Sequence, residues 1–458
     1  MRRCWLCAVL SFATATTAAR GQAVAPVPPV PTPPTIDPPP LLLPANSDPV
    51  AGVPNGTPVS RPLQPVTLDV PPSAQTPAPA PATPLAPKDT TPDPANPLGR
   101  SWETLEFLLW WTKPQPLPPL VTAGPPGTLP VLGGPNTRLL AGGRSLDSQP
   151  TGGMRATVGW AFDDSQTYGV EATYLFLGTR TYSASYSDAP GLPAQVLGRP
   201  FVNAATGRED AIPVAVPGVV DGLVTVSTST RVTGWEVGGV ANLYAGPRAR
   251  LDVTAGYRYF MVNEGLRVEQ TSSRLPVSPA VPEILSASAD QIDAHNRFHG
   301  AQIGLHGDFS HGPVFVQIVG KTAFGETIEI AKLSGQTTVI TAGSPLPMIQ
   351  SYNAGVLGLP TNSGRATNST FAVLPEVQFK LGCKLGDGVR FYVGYNFLFL
   401  SQAIRPGDQV DRTLAPGQIP TAATQSAAAV LTSDRPQLVM SRADYWVQGL
   451  MFGMEWRY

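Results

Sequence analysis

Asp252-Val253-Thr254-Ala255-Gly256-Tyr257-Arg258-Tyr259-Phe260-Met261 puts Val253, Ala255, Tyr257, Tyr259 and Met261 on one face of an extended chain, with Asp252, Thr254, Gly256, Arg258 and Phe260 on the other. Side chains alternate across a strand with a period of two, so this is a strand with one apolar face and one mostly polar or small face. The split recurs on both sides of it. Met154, Ala156, Val158, Trp160 and Phe162 oppose Arg155, Thr157 and Gly159, while Val170, Ala172, Tyr174 and Phe176 oppose Glu171 and Thr173. Further on, Val377, Phe379, Leu381 and Cys383 oppose Glu376, Gln378, Lys380 and Lys384, and Phe391, Val393, Tyr395, Phe397 and Phe399 oppose Arg390, Tyr392, Gly394 and Asn396. A soluble sandwich would turn the apolar faces inward. A membrane barrel turns them to lipid and lines its lumen with the polar ones.

The connections favour the barrel. Strands read near 102–111, 153–162, 168–178, 232–244, 249–262, 297–309, 313–328, 369–385, 389–401 and 444–458, and the links between them alternate long and short. The short ones are Asp163-Asp164-Ser165-Gln166, Ala245-Gly246-Pro247-Arg248, Ser310-His311-Gly312 and Gly386-Asp387-Gly388. Outer-membrane barrels combine short periplasmic turns, long external loops and an even strand number. The last stretch, Leu450 to Tyr458, sets Leu450, Phe452, Met454, Trp456 and Tyr458 on one face and ends on an aromatic, like the C-terminal strand by which the barrel-assembly machinery takes up its clients. The expected fold is all-β: a transmembrane antiparallel up-and-down β-barrel of about 10 strands (about 10–12), preceded by a disordered Pro-rich segment.

That preceding segment follows an address. Arg2 and Arg3 precede the apolar run Cys4 to Ala13, and Gly21-Gln22-Ala23 fits signal-peptide cleavage, with Ala18-Ala19 as the alternative. Residues 1–23 are expected to be a signal peptide, 24–100 a periplasmic Pro-rich linker and 101–458 the barrel. The linker holds almost half of the 52 prolines and few charges, so it cannot form a core. Fully extended at about 3.1 Å per residue it would reach about 240 Å, enough for an arm toward the cell wall. Cys4 and Cys7 fall in the address, which leaves Cys383 alone, without a disulfide or a Cys-based zinc site in the mature chain. A net charge of −1 provides no field for nucleic acid.

Several stretches resemble a planctomycete-type family of β-barrel porins, the seventh in a numbered series of barrel-porin families. They are Glu106-Phe107-Leu108-Leu109-Trp110-Trp111 with Pro118-Pro119-Leu120-Val121-Thr122, Gly153 to Trp160, Asn296 to Gln302, Leu374-Pro375-Glu376, and Gly394-Tyr395-Asn396-Phe397 through Arg405-Pro406-Gly407-Asp408-Gln409-Val410-Asp411. The resemblance implies an outer-membrane barrel in contact with outer-membrane lipid, and a pore. It implies no substrate, cofactor or catalytic residue.

The residues expected to line the lumen are Glu106, Arg155, Glu171, Glu236, Asp252, Arg258, Gln302, His306, Lys321, Glu376, Gln378, Lys380, Arg390 and Asn396, together with Asp308 and Gln317. Both signs occur in similar numbers. In a wide barrel they would form a wetted channel, whereas in a ten-stranded one they could meet across the lumen and close it. Arg405 with Asp408 or Asp411 is expected to staple an external loop. Asp290, Asp293, His295 and His299 stand close together at the entry to a strand, where a carboxylate could orient an imidazole as a general base. A polar strand mouth is the better account of them, and no metal set, P-loop or H-E-x-x-H motif is present. The expected function is a passive small-solute pore, not an enzyme. The alternative is a non-conducting structural or adhesive barrel with binding external loops.

Overall fold

The computed structural model describes residues 100–145, 149–188, 194–275, 282–342, 346–386, 388–420 and 433–458. The signal peptide and nearly all of the Pro-rich linker, residues 1–99, lie outside the described residues. Ten strands among those described form one antiparallel ring: β1 (Ser101–Thr112), β2 (Thr151–Ala161), β3 (Tyr168–Leu177), β4 (Val220–Ala245), β5 (Ala249–Arg274), β6 (Ile284–His311), β7 (Val314–Thr341), β8 (Gly364–Gly386), β9 (Val389–Ile404) and β10 (Arg442–Arg457). Each pairs with the next in the chain, and β1 pairs with β10 in the register Glu106↔Gly453 and Leu109↔Leu450. Closure satisfies the backbone of every ring strand on both sides, which a bilayer demands.

The period-two pattern decides which face meets lipid. Val158, Trp160, Tyr174, Trp235, Ile303, Leu305, Ile318, Val377 and Phe379 stand exposed on the outer wall, while Arg155, Arg258, Gln302, Gln317 and Glu376 are buried inside. So large an exposed apolar belt is stable only against hydrocarbon. The short turns lie at one end together with the start of β1 and the end of β10. Two of them turn on glycines at positive φ, Gly312 (59°) and Gly388 (90°), a region open to glycine at little cost.

Strands β4 to β8 run well past the expected ends at residues 232, 262, 297, 328 and 369. Beyond Val262 the alternation continues with its polarity reversed: Val262, Leu266 and Val268 point inward and are buried, whereas Arg267, Glu269 and Thr271 point outward and are exposed. A search for apolar-out strands stops where the sign flips. The flip marks the point at which the wall leaves the membrane, because the outer surface then meets water and the inner one meets folded loops.

Those loops form a headpiece inside the external mouth. Strands Val121–Gly124, Arg138–Ala141, Val196–Asn203, Glu209–Ala215 and Thr413–Leu414 make a second, five-stranded sheet. Its Leu120, Val121, Leu197, Phe201 and Val214 pack against Val224, Val226, Leu266, Val268, Ile292 and Leu333 of the extended wall. Full burial of each such side chain stabilises by about 1.5–3 kcal/mol, so the headpiece is held as a core. The wall also gains Arg180–Ser187 beside β4 and Met348–Tyr352 beside β7.

Candidate functional site

The lumen is filled in layers. The first layer, toward the short turns, is ionic. Arg155 on β2 binds Glu106 on β1, and its Nη1 donates to Glu376 Oε1 on β8 at 2.9 Å and to Asn396 Oδ1 on β9 at 3.3 Å. Arg258 on β5 donates to the other oxygen of Glu376 and, at 3.1 Å, to Gln302 on β6. Lys380 lies 2.8 Å from Glu106, which also accepts from the Tyr392 hydroxyl at 2.6 Å. Lys321 on β7 reaches Glu236 on β4, and its Nζ is 3.8 Å from Glu171. Most of these pairs join strands that are not neighbours in the wall, so they cross the lumen instead of running along it.

Below this lattice Arg390 pairs with Asp308, Glu455 with Arg457, and Gln317 donates to Asp308 at 2.9 Å. Asp252 is paired with Arg250 at 2.8 Å. Every lumen residue expected from parity is placed inside, His306 included. The space left among them is a cavity of about 80 Å³, bordered by Trp102, Asp252, Thr254, His306, Lys321 and Arg457. It is large enough to hold several ordered waters.

Above the lattice the lumen turns apolar. Leu108, Trp110, Phe260, Val262, Phe298, Leu374, Leu398, Leu400, Tyr445 and Val447 are each 0% exposed and form one cluster, to which nine of the ten strands contribute. This apolar septum lies across the bore between the ionic lattice and the headpiece.

The third layer ties the loops down. Arg405 does not bind Asp408 or Asp411. Its guanidinium crosses to Glu264 on β5 (Nε to Oε2 2.6 Å, Nη2 to Oε1 2.7 Å), donates to the carbonyls of Pro114 and Lys113 at 3.0 and 3.1 Å, and lies over the Tyr445 ring. A guanidinium with no exposed surface needs a carboxylate in the same dry space, and Asp408 and Asp411 face elsewhere. Burial pushes the Asp408 carboxyl above its usual range despite nearby Arg405. Asp411 accepts from the backbone of Thr413 (2.9 Å) and Gln437 (3.0 Å) and pairs with Arg435; burial opposes its charge, yet these donors hold its carboxyl below the usual range.

The cluster Asp290, Asp293, His295 and His299 lies within the 28-residue β6, not at its entry, and the barrel wall divides it. Asp290 points inward and is fully buried. Its Oδ1 accepts from the backbone N–H groups of Val356 (3.0 Å), Leu357 (2.9 Å) and Gly358 (2.9 Å), and its Oδ2 lies 2.8 Å from Nη2 of buried Arg199, whose N–H is not aimed at the oxygen. Asp293, His295 and His299 share the outward parity of β6, so no imidazole meets Asp290. Asp290 instead ties two segments, that of Arg199 and residues 356–358, to the extended wall.

Sequence reading missed Glu264, Glu455, Arg457 and Arg250. Glu264 has the parity of Asp252 and Arg258 but lies two residues past the expected strand end. Glu455 and Arg457 alternate with the apolar set of the last strand, so parity alone could have found them.

No curated protein matches the chain. Among solved structures it is similar to the outer membrane protease OmpT from Escherichia coli (8% identity, TM-score 0.34, covering 78% of this chain and 96% of that one). It is also similar to the Pseudomonas putida toluene transporter TodX (8%, TM-score 0.19, 80% and 93%) and to a Pseudomonas aeruginosa FadL homologue (8%, TM-score 0.19, 78% and 89%). Likenesses this distant carry nothing about activity. A family model described as "Putative beta barrel porin-7" matches residues 102–458, the whole of the closed ring and its headpiece. The chain belongs to this family of outer-membrane β-barrels.

Proposed function

We propose that this chain is a closed structural barrel that anchors an ordered headpiece at the cell surface and passes no solute through its lumen. The observation that carries this reading is the double closure of the bore, by charge pairs that cross it and by an apolar septum above them. An aqueous path would have to break buried ion pairs and wet the septum, and hydrophobic constrictions resist wetting. The passive pore remains the competing reading, and the family description names it. The test is conductance of the purified, heat-modifiable barrel refolded into a planar bilayer. Silence from folded protein is expected. Stable ohmic steps from the unmodified chain would overturn the reading.

The remaining parts fit this scheme. With the start of β1 at the short-turn end, a Pro-rich segment at 24–100 would lie in the periplasm and reach toward the cell wall after removal of a signal peptide at 1–23. The last strand would engage the barrel-assembly machinery. The external headpiece is then the part presented to partners.

A further inference from the structure

Where the outer wall leaves the membrane, three cross-strand rows run over β5, β6, β7 and β8. They are Met261–Arg297–Ile328–Ser369, Tyr259–His299–Glu326–Phe371 and Tyr257–Ala301–Phe324–Val373. The lowest row and those beneath it are apolar; the upper ones carry charge. Between them is an open groove of about 550 Å³ bordered by Tyr257, His299, Phe324, Glu326 and Phe371, with the small side chain of Ala301 as its floor. The aromatic side is ordered: the Tyr257 hydroxyl lies 2.6 Å from His299 Nδ1, and Tyr259 meets the His299 ring edge-on at 5.0 Å between centroids.

Glu326 is the anomaly. It is an exposed carboxylate set among His299, Phe324 and Phe371 where the outer wall turns from apolar to charged, and among the described residues it has no ion-pair partner. Arg297, also outward and exposed, is its diagonal neighbour on β6 and is likewise without an ion pair. Diagonal neighbours on adjacent strands are about 7–8 Å apart, within reach of long side chains, yet these two do not pair, which leaves both charges free for one headgroup with both signs to span. Aromatic faces beside a carboxylate suit an ammonium, and a guanidinium suits a phosphate.

We propose that this groove is a binding site for a zwitterionic aminoalkyl phospholipid of the phosphatidylethanolamine kind, its ammonium at Glu326, its phosphate toward Arg297 and an acyl chain along the notch at Ala301. Charge complementarity selects this occupant over an anionic lipid, whose headgroup would meet Glu326 without a cation to offer it.

The test is native mass spectrometry of the detergent-purified barrel with matched dilauroyl phosphatidylethanolamine and dilauroyl phosphatidylglycerol. The unmodified protein should retain the former about fivefold better, as an exposed ion pair plus a cation–π contact allows. Glu326→Gln should abolish that preference, and Asp293→Asn, an outward carboxylate on the neighbouring strand β6, should leave it intact. Equal retention of the two lipids by the unmodified protein, or a preference that survives in Glu326→Gln, overturns the proposal. Soluble phosphoethanolamine that displaced the lipid at equal concentration would make the free headgroup the ligand and overturn the assignment to lipid.

Discussion

Arg405→Ala removes the cation that joins the β9–β10 loop, β5 and the chain leaving β1. Glu264 and Arg405 are each 1% exposed at the side chain, so the substitution strands a carboxylate without its counter-charge. Breaking a buried pair on one side costs about 3–5 kcal/mol. The carbonyls of Lys113 and Pro114 lose their donors as well, at about 1 kcal/mol each. The pair alone, at about 4 kcal/mol in the local opening free energy, corresponds to roughly a thousandfold faster amide exchange before the carbonyls are counted. Hydrogen exchange of the refolded barrel, read at residues 113–117 and 404–410, should show it, while the membrane segments of β5 and β6 stay protected. Arg405→Met with Glu264→Leu deletes both charges and should recover most of the loss, giving a coupling of about 3 kcal/mol in the double-mutant cycle. If the single variant exchanges no faster, or the double variant exchanges as fast as the single, the pair does not hold the β9–β10 loop and the reasoning fails.

Closure by two layers implies that neither layer need fail when the other is opened: Arg155→Ala, and separately Phe260→Ala with Phe298→Ala, should each give silent folded barrels, and combining all three should give the first conducting form. Steps from Arg155→Ala alone would show that the septum does not seal. Asp290→Asn keeps the volume but loses the charge that gathers three backbone N–H groups beside Arg199, a loss of about 2–4 kcal/mol. Chymotrypsin should then cut the 346–363 and 196–215 segments, at Tyr352 and Phe201, while the barrel stays heat-modifiable, and unchanged digestion would count against Asp290 as the junction. The Asp411 carboxyl has a pKa below its unfolded value, so its contribution is present above the usual carboxylate range, near pH 4, and is lost as pH falls through the lower folded value. Limited proteolysis with an acid-active protease should therefore find residues 433–437 more exposed near pH 3 than near pH 5, a difference that Asp411→Asn should erase.

Much of the lumen was legible because parity is a local property. Once Asp252 and Arg258 are assigned to one face of a strand, every polar residue of even offset shares that face, whatever the rest of the molecule does. Arg405 was legible as an anchor but not in its partner. Glu264 is separated from it by 141 residues and joins it only after the wall has closed. The pairing of Asp290 with Asp293, His295 and His299 failed for the opposite reason: nearness along a strand says nothing when an odd offset puts two residues on opposite sides of a wall.

From the sequence alone come the strands, their number, the alternation of short and long connections and the face that each side chain occupies, since all of these follow from a period of two and from turn chemistry. Only the tertiary structure shows which inward charges meet across the bore. Whether Arg155 meets Glu376 or water depends on the stagger of ten strands around a ring and on the loops that return into its mouth. Both are non-local, because the same inward charges would line an open channel if the ring were wider and the loops lay outside it.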